Sequence, residues 1–107
     1  MTVTIGIAHT SGSHELNMAN GNFGLVWRSL GLVNSEDFCD WCCGNIDPDE
    51  LLARLAGFKP SSITYDAYQV GNMYDCGVDL NRASRYYWSL MNIANEAKRK
   101  GRQVSWC

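Results

Sequence analysis

Three stretches of this chain have residue types and spacings that chemistry could use. The first is FCDWCCGN (38–45), which sets Cys39 and Cys42 in CxxC spacing and adds Cys43. A zinc ion takes four ligands, and a chain built to hold one normally shows a second close pair. Here Cys76 and Cys107 stand alone, and His9 and His14 lie far upstream. A redox CxxC opens a helix after a buried strand, whereas this one runs into another Cys and a Gly. The cysteines read as reduced, packed or incidental thiols, with no metal and no cofactor.

The second stretch is HTSGSH (9–14), which follows the first apolar run, where mononucleotide-binding folds place their ligand loops. Its single Gly matches neither the dinucleotide fingerprint nor a P-loop. Ser11 or Ser13 with a His lacks the nucleophile elbow that would mark a hydrolase.

The third candidate is split between ELNMANGNFG (15–24) and NRASRYYWSLMN (81–92). Asn17, Asn20 and Asn22 precede a helical pattern. Asn caps helices and shapes turns with its own side chain, but amides at a helix start also suit a phosphate or the edge of a base. In the second segment Arg82, Arg85, Ser89 and Asn92 fall on one polar side of a helix, beside Tyr86 and Trp88. Arg next to aromatic rings suits a phosphate plus a stacked base. Trp88 lies off the main apolar stripe, which marks it for a pocket or a subunit interface. The candidate ligand-binding residues are therefore Asn17, Asn20, Asn22, Arg82, Arg85 and Trp88, for a small nucleotide-like ligand, with no catalytic set.

The elements that must position these residues follow from periodicity. TVTIGIAH (2–9) alternates Val3, Ile5 and Ile7 with Thr2, Thr4 and Gly6, the period of a strand with one buried face. ELNM is a candidate edge strand. From Asn20 or Asn22, the positions Phe23, Val26, Trp27 and Leu30 recur at helical spacing, and Gly31 sits where a left-handed cap belongs. Residues 32–45 have no period and read as irregular. IDPDELLARLAGF gives a helix start, with Asp47 as N-cap, Pro48 in the first turn and Leu51, Leu52 and Leu55 inward, ending at Gly57. After the breaker KPSS, ITYDAYQV and MYDCGV flank Gly71-Asn72 as a hairpin. Asp79 caps the longest helix, whose Leu80, Ala83, Tyr87, Leu90, Ala94 and Ala97 face the core until Gly101 stops it; Tyr86 and Ile93 widen that stripe. QVSWC is a last strand with Val104 and Trp106 inward. The economical packing is an α/β (α+β) single domain spanning 1–107, with about three helices on a small mixed sheet.

Composition narrows the function classes. The chain has 107 residues, 46% hydrophobic and 19% charged, and fits one core with no disordered tract. Its apolar runs fall far short of the roughly 18 residues needed to cross a bilayer. MTVTIGIAH has no basic stretch before its apolar part, so the expectation is a cytoplasmic protein with no membrane partner. A net charge of -2 gives no general drive toward nucleic acid. Charge is nevertheless uneven. Residues 29–53 hold Glu36, Asp37, Asp40, Asp47, Asp49 and Glu50 without a Lys or Arg, while six of the nine basic residues lie between Arg82 and Arg102. Such opposed patches suit a homo-oligomer or a steered partner, although a solvated face and a helix C-terminus also explain them.

ELNMANGNFGLVWRSLGL, CGNIDPDELLARLAG and YYWSLMNIANEAKRKGRQVSW together resemble a group of small uncharacterised proteins of actinobacteria and their phages. In that group an LNMxNxN segment leads into a helix ending LGL, a Cys-Gly precedes an acidic helix start, and the C-terminal helix ends before V-x-W. FCDWC and the hairpin lie outside the pattern. The resemblance implies a phage-type accessory protein that antagonises host defence. It would do so by sequestering a nucleotide signal or, alternatively, by inhibiting a host defence protein through the acidic 36–50 surface.

Overall fold

The computed structural model describes residues 2–9 and 14–107. Four strands, β1 (Thr2–Ile7), β2 (Leu16–Ala19), β3 (Gly44–Ile46) and β4 (Val104–Trp106), form a sheet in the order β2-β1-β4-β3. Helices α1 (Asn20–Ser29) and α3 (Leu80–Lys100) pack on one face, and α2 (Pro48–Ala56) packs against α3 to close the same core. A separate two-stranded ribbon, Tyr68–Val70 with Met73–Asp75, stands between α2 and α3 in the chain.

The α+β architecture with three helices on a small sheet is as the periodicity predicts, but the sheet is not mixed. Every pairing is antiparallel. The register shows why: Val104, the first residue of β4, lies beside Ile7 and Ile46, the last residues of β1 and β3. The chain leaving α3 therefore enters the sheet where two strands finish, and must run against both. The Ala8 amide donates to the Gln103 carbonyl at 2.8 Å, closing that corner.

Alternation sorts the two faces. Val3, Ile5, Ile7, Met18, Ile46, Val104 and Trp106 are buried under the helices. Thr2, Thr4, Asn17, Asn45 and Ser105 turn to the other face, which no helix covers.

The helices begin and end largely where the residues predict. Asp47 caps α2 through the Asp49 amide at 3.2 Å, and Asp79 caps α3 through the Arg82 amide at 2.7 Å. Gly101 ends α3 at φ 66°, and Gly31 follows α1 at φ 73°. The start of α1 differs, because its N-cap is Ala19 with no side-chain hydrogen bond, and both Asn20 and Asn22 lie inside the first turn. Leu80 is also a correction: as the first residue of α3 it precedes the turn that reaches the core, and Ala83 is the first to be buried.

The segment 32–45 is more ordered than its lack of period suggests. A single 3₁₀ turn at Phe38–Asp40 drives Trp41 into an aromatic cluster, with ring centroids 5.7 Å from Phe23. The Trp106 indole N–H donates to the Trp41 carbonyl at 2.9 Å, and its ring meets Trp27 edge-on at 5.2 Å. Gly44 then lies opposite Trp106 in β3, where a Cβ would come within 2.7 Å of the indole. Only glycine lets the ring lie flat there.

One residue beyond Gly44 and Trp106, the same register sets Cys43 opposite Cys107, and the two form a disulfide. The reduced state expected for all five cysteines is thus overturned for this pair, while Cys39, Cys42 and Cys76 are free. The expectation failed because the bridge depends on β3, and 32–45 reads as irregular with no strand in it. The bridge also removes the argument for a reducing compartment. Among the described residues, no helix is long and apolar enough to cross a membrane.

The bridge closes a sequence separation of 64 residues. Cys107→Ser should lower unfolding free energy by about 4 kcal/mol on loop-closure grounds, read by urea denaturation without reductant. A loss under about 1 kcal/mol would show that the sheet ladder alone holds the strand.

Candidate functional site

The six sequence-selected residues do not converge on one pocket. Asn17 sits on the uncovered sheet face, where its side chain accepts from the Thr4 hydroxyl at 2.6 Å. Asn22 is at the start of α1 and donates from its amide to the Tyr86 hydroxyl at 3.0 Å, tying α1 to α3. Asn20 keeps its side-chain oxygen shielded and without a hydrogen-bond partner, as does the Trp27 indole N–H one face-repeat later. Arg82, Arg85 and Trp88 lie exposed on α3, and neither Arg forms an ion pair among the described residues. The geometry thus groups Asn22 with the start of α3 through Tyr86, and turns Asn17 to the other side.

The acidic segment is largely committed to local structure. Asp37 caps the 3₁₀ turn through the Cys39 amide, and Asp40 accepts from the Ser35 hydroxyl. Asp47 is a helix cap; Asp49 pairs with Lys98 at 2.9 Å and Glu50 with Arg54 at 3.1 Å. Exposed pairs of this kind contribute little stability, but they lower the charge presented to a partner. In the same segment the Cys39 thiol is pushed up by the Asp37 carboxylate first and then by Cys42, which makes it a poorer nucleophile. Among the described residues, no cluster of His, Cys, Asp and Glu is placed to hold a metal ion. Residues 10–13, with Ser11 and Ser13, lie outside those described.

A different surface stands out. The large apolar side chains left exposed are Tyr68, Val70, Met73, Tyr74, Leu80 and Trp88, all within one span of sequence. Met73 is 74% exposed, Tyr74 66% and Val70 65%. Pleat alternation puts Tyr68, Val70 and Met73 on one face of the ribbon. On α3, Leu80 and Trp88 stand two turns apart on one face, with the small Ser84 between them at i+4 and Arg85 on the flank. The signal was present in the sequence, since Trp88 fell off the core stripe, but the hairpin residues read as ordinary strand.

The ribbon is held at its base. Tyr65 pairs with Val78 across an isolated bridge. Its phenol donates to the Asp75 carboxylate at 2.8 and 2.9 Å, and the Gly77 amide donates to Asp75 at 2.8 Å. Gly77 has φ 73° and sits where a Cβ would come within 2.5 Å of the Tyr65 carbonyl, so no other residue fits this crossing. At the tip Gly71 takes φ 58°, the sign a two-residue hairpin connection needs. An open cleft of about 420 Å³ on the polar sheet face, lined by Thr4, Glu15, Asn45 and Ser105 among others, shares no lining residue with this surface.

No family model, characterised protein or solved structure matches the chain.

The clamp at the base has a pH signature. The hydrogen bond to Asp75, then burial, pushes the Tyr65 phenol from 10.0 up to about 12, while the Gly77 amide and Tyr65 hold the Asp75 carboxyl below its usual range. The protonated phenol is the bonded form, so its stabilisation is complete below pH 10.0 and is lost as pH rises toward about 12. Asp75 contributes at neutral pH and loses its contribution in acid. Phenolate absorbance should therefore show one late-titrating tyrosine that disappears in Tyr65→Phe and moves back toward the ordinary range in Asp75→Asn. An unchanged titration in Tyr65→Phe would dissolve the assignment.

Proposed function

We propose that this chain is a protein-binding accessory factor that docks through the ribbon and the exposed face of α3, acting by binding and not by catalysis. The observation that carries this reading is the concentration of exposed large apolar side chains in Tyr68 to Trp88, on elements that leave them uncovered. A two-stranded ribbon with neither face packed is only marginally stable by itself in water, and Met73 and Val70 at its tip gain most from a partner. The resemblance to small actinobacterial and actinophage proteins supports reading the action of the chain as directed against host defence.

A second reading keeps the nucleotide-like ligand. It draws on Arg82 and Arg85, which lack ion pairs among the described residues, and on the unsatisfied Asn20 oxygen beside Asn22 and Tyr86. Asn17 has no part in it. The acidic 36–50 surface is the weaker protein-docking candidate, because Glu36 alone of its six acids has no local partner among the described residues.

A photo-crosslinking residue placed at Met73, and separately at Glu36, in cells making the protein distinguishes these readings. Protein adducts from position 73 and none from 36 are expected. Adducts from 36 alone would move the site to the acidic segment. None from either, with a nucleotide mass retained in native mass spectrometry, would leave the ligand reading standing.

A further inference from the structure

Taking the docking surface as the ribbon and the exposed α3 face, we propose that a second copy of this chain occupies it: two copies exchange ribbons about a two-fold axis, each ribbon lying along the other's α3 from Leu80 to Trp88. Three features make the surface self-complementary. First, the shapes match. The first and last Cα of a three-residue strand lie ~7 Å apart and Leu80 and Trp88 ~12 Å apart along α3, so the long Tyr68 and Met73 side chains at the two ends of the ribbon face extend it to both. Ser84 between them is small and half-buried, which leaves a shallow saddle for the ribbon to enter. Second, the charges match. Residues 60–81 contain Asp66, Asp75 and Asp79 and no Lys or Arg, whereas the α3 side carries Arg82 and Arg85. Asp75 and Asp79 are already engaged in the ribbon clamp and the helix cap, but Asp66 and Arg85 form no ion pair with the described residues of one copy.

Third, both halves remain bare in a single copy although they are adjacent in sequence. The crossing fixed by Gly77 and the Tyr65–Val78 bridge leads straight into α3, and Tyr68, Val70 and Met73 on one side and Leu80 and Trp88 on the other all stay more than half exposed. A two-fold arrangement covers both with one operation, since a surface that meets its own copy must present both members of each pair. Asp66 of one copy then faces Arg85 of its partner, and the reciprocal pair forms at the other end.

The test is a charge swap. Asp66→Arg and Arg85→Glu each place like charges opposite one another in their own dimer, while a mixed pair of the two variants restores both attractions. Neither side chain supports the fold, and circular dichroism confirms this before assembly is read. By light scattering and native mass spectrometry, the wild type should be a dimer and each variant should dissociate at least about tenfold more readily. An equimolar mixture should recover the dimer as the mixed species. A monomeric wild type, variants that dimerise as well as the wild type, or a mixture that stays monomeric would each overturn the proposal. Crosslinking at Met73 keeps the two ideas separate: adducts to a different protein from a monomeric chain would preserve the docking surface and remove the second copy from it.

Discussion

The three-residue strand Val104–Trp106 sits in the interior of the sheet, and the rest of the structure depends on its pairing. It supplies the ladder for β1 on one side and β3 on the other. Trp106 on that strand meets Trp27 from α1 and bonds the Trp41 carbonyl from the otherwise irregular segment. Without this strand β3 has no partner, Trp41 loses its anchor, and Cys43 has nothing opposite it. Residues far apart in sequence thus meet at one position, where ring packing, a buried hydrogen bond and a covalent bridge all bear on the same few residues.

That arrangement divides the surface into parts of different chemistry. The uncovered sheet face presents small polar side chains, with Thr4 and Asn17 bonded to each other, and offers little apolar area to a partner. Apart from Glu36, the acidic segment engages its carboxylates in caps, a short hydrogen bond from Ser35 and ion pairs among the described residues. The ribbon beyond Gly77 reverses both tendencies, because its clamp of Tyr65, Asp75 and Gly77 holds the backbone while leaving the apolar side chains out in water. Exposed apolar area at this density on a small domain is the usual mark of a surface meant to be covered.

The contrast between the two termini of α1 shows where local rules stop. Gly31 ends the helix as its residue type requires, and Arg54 of α2 donates to the Leu30 carbonyl at 2.8 Å, adding a tertiary cap. At the other end, three asparagines suited to capping leave the N-cap to Ala19. The strand β2 runs into the helix without a turn, so Asn17 stays on the sheet and Asn22 is free to reach Tyr86 across the core boundary. Side chains that could serve a local bond serve a distant one when the chain path removes the local geometry.

Some of this protein is written in residue order alone. Period-two alternation in 2–7, the Asp47-Pro48 and Asp79 starts, the stops at Gly31 and Gly101 and the Gly71 hairpin are short-range physics, since each involves residues within one or two turns of one another. What tertiary structure decided is everything that needs a partner strand. Gly44 and Asn45 are poor strand formers, and Gly44-Asn45-Ile46 becomes β3 because a ladder is offered to it. Cys43 and Cys107 bond because that ladder fixes their register, and the Asn and Arg candidates separate because strand alternation sends Asn17 to one face and α1 packing sends Asn22 to the other. Register and sidedness are properties of pairing, and a sequence without its partners does not contain them.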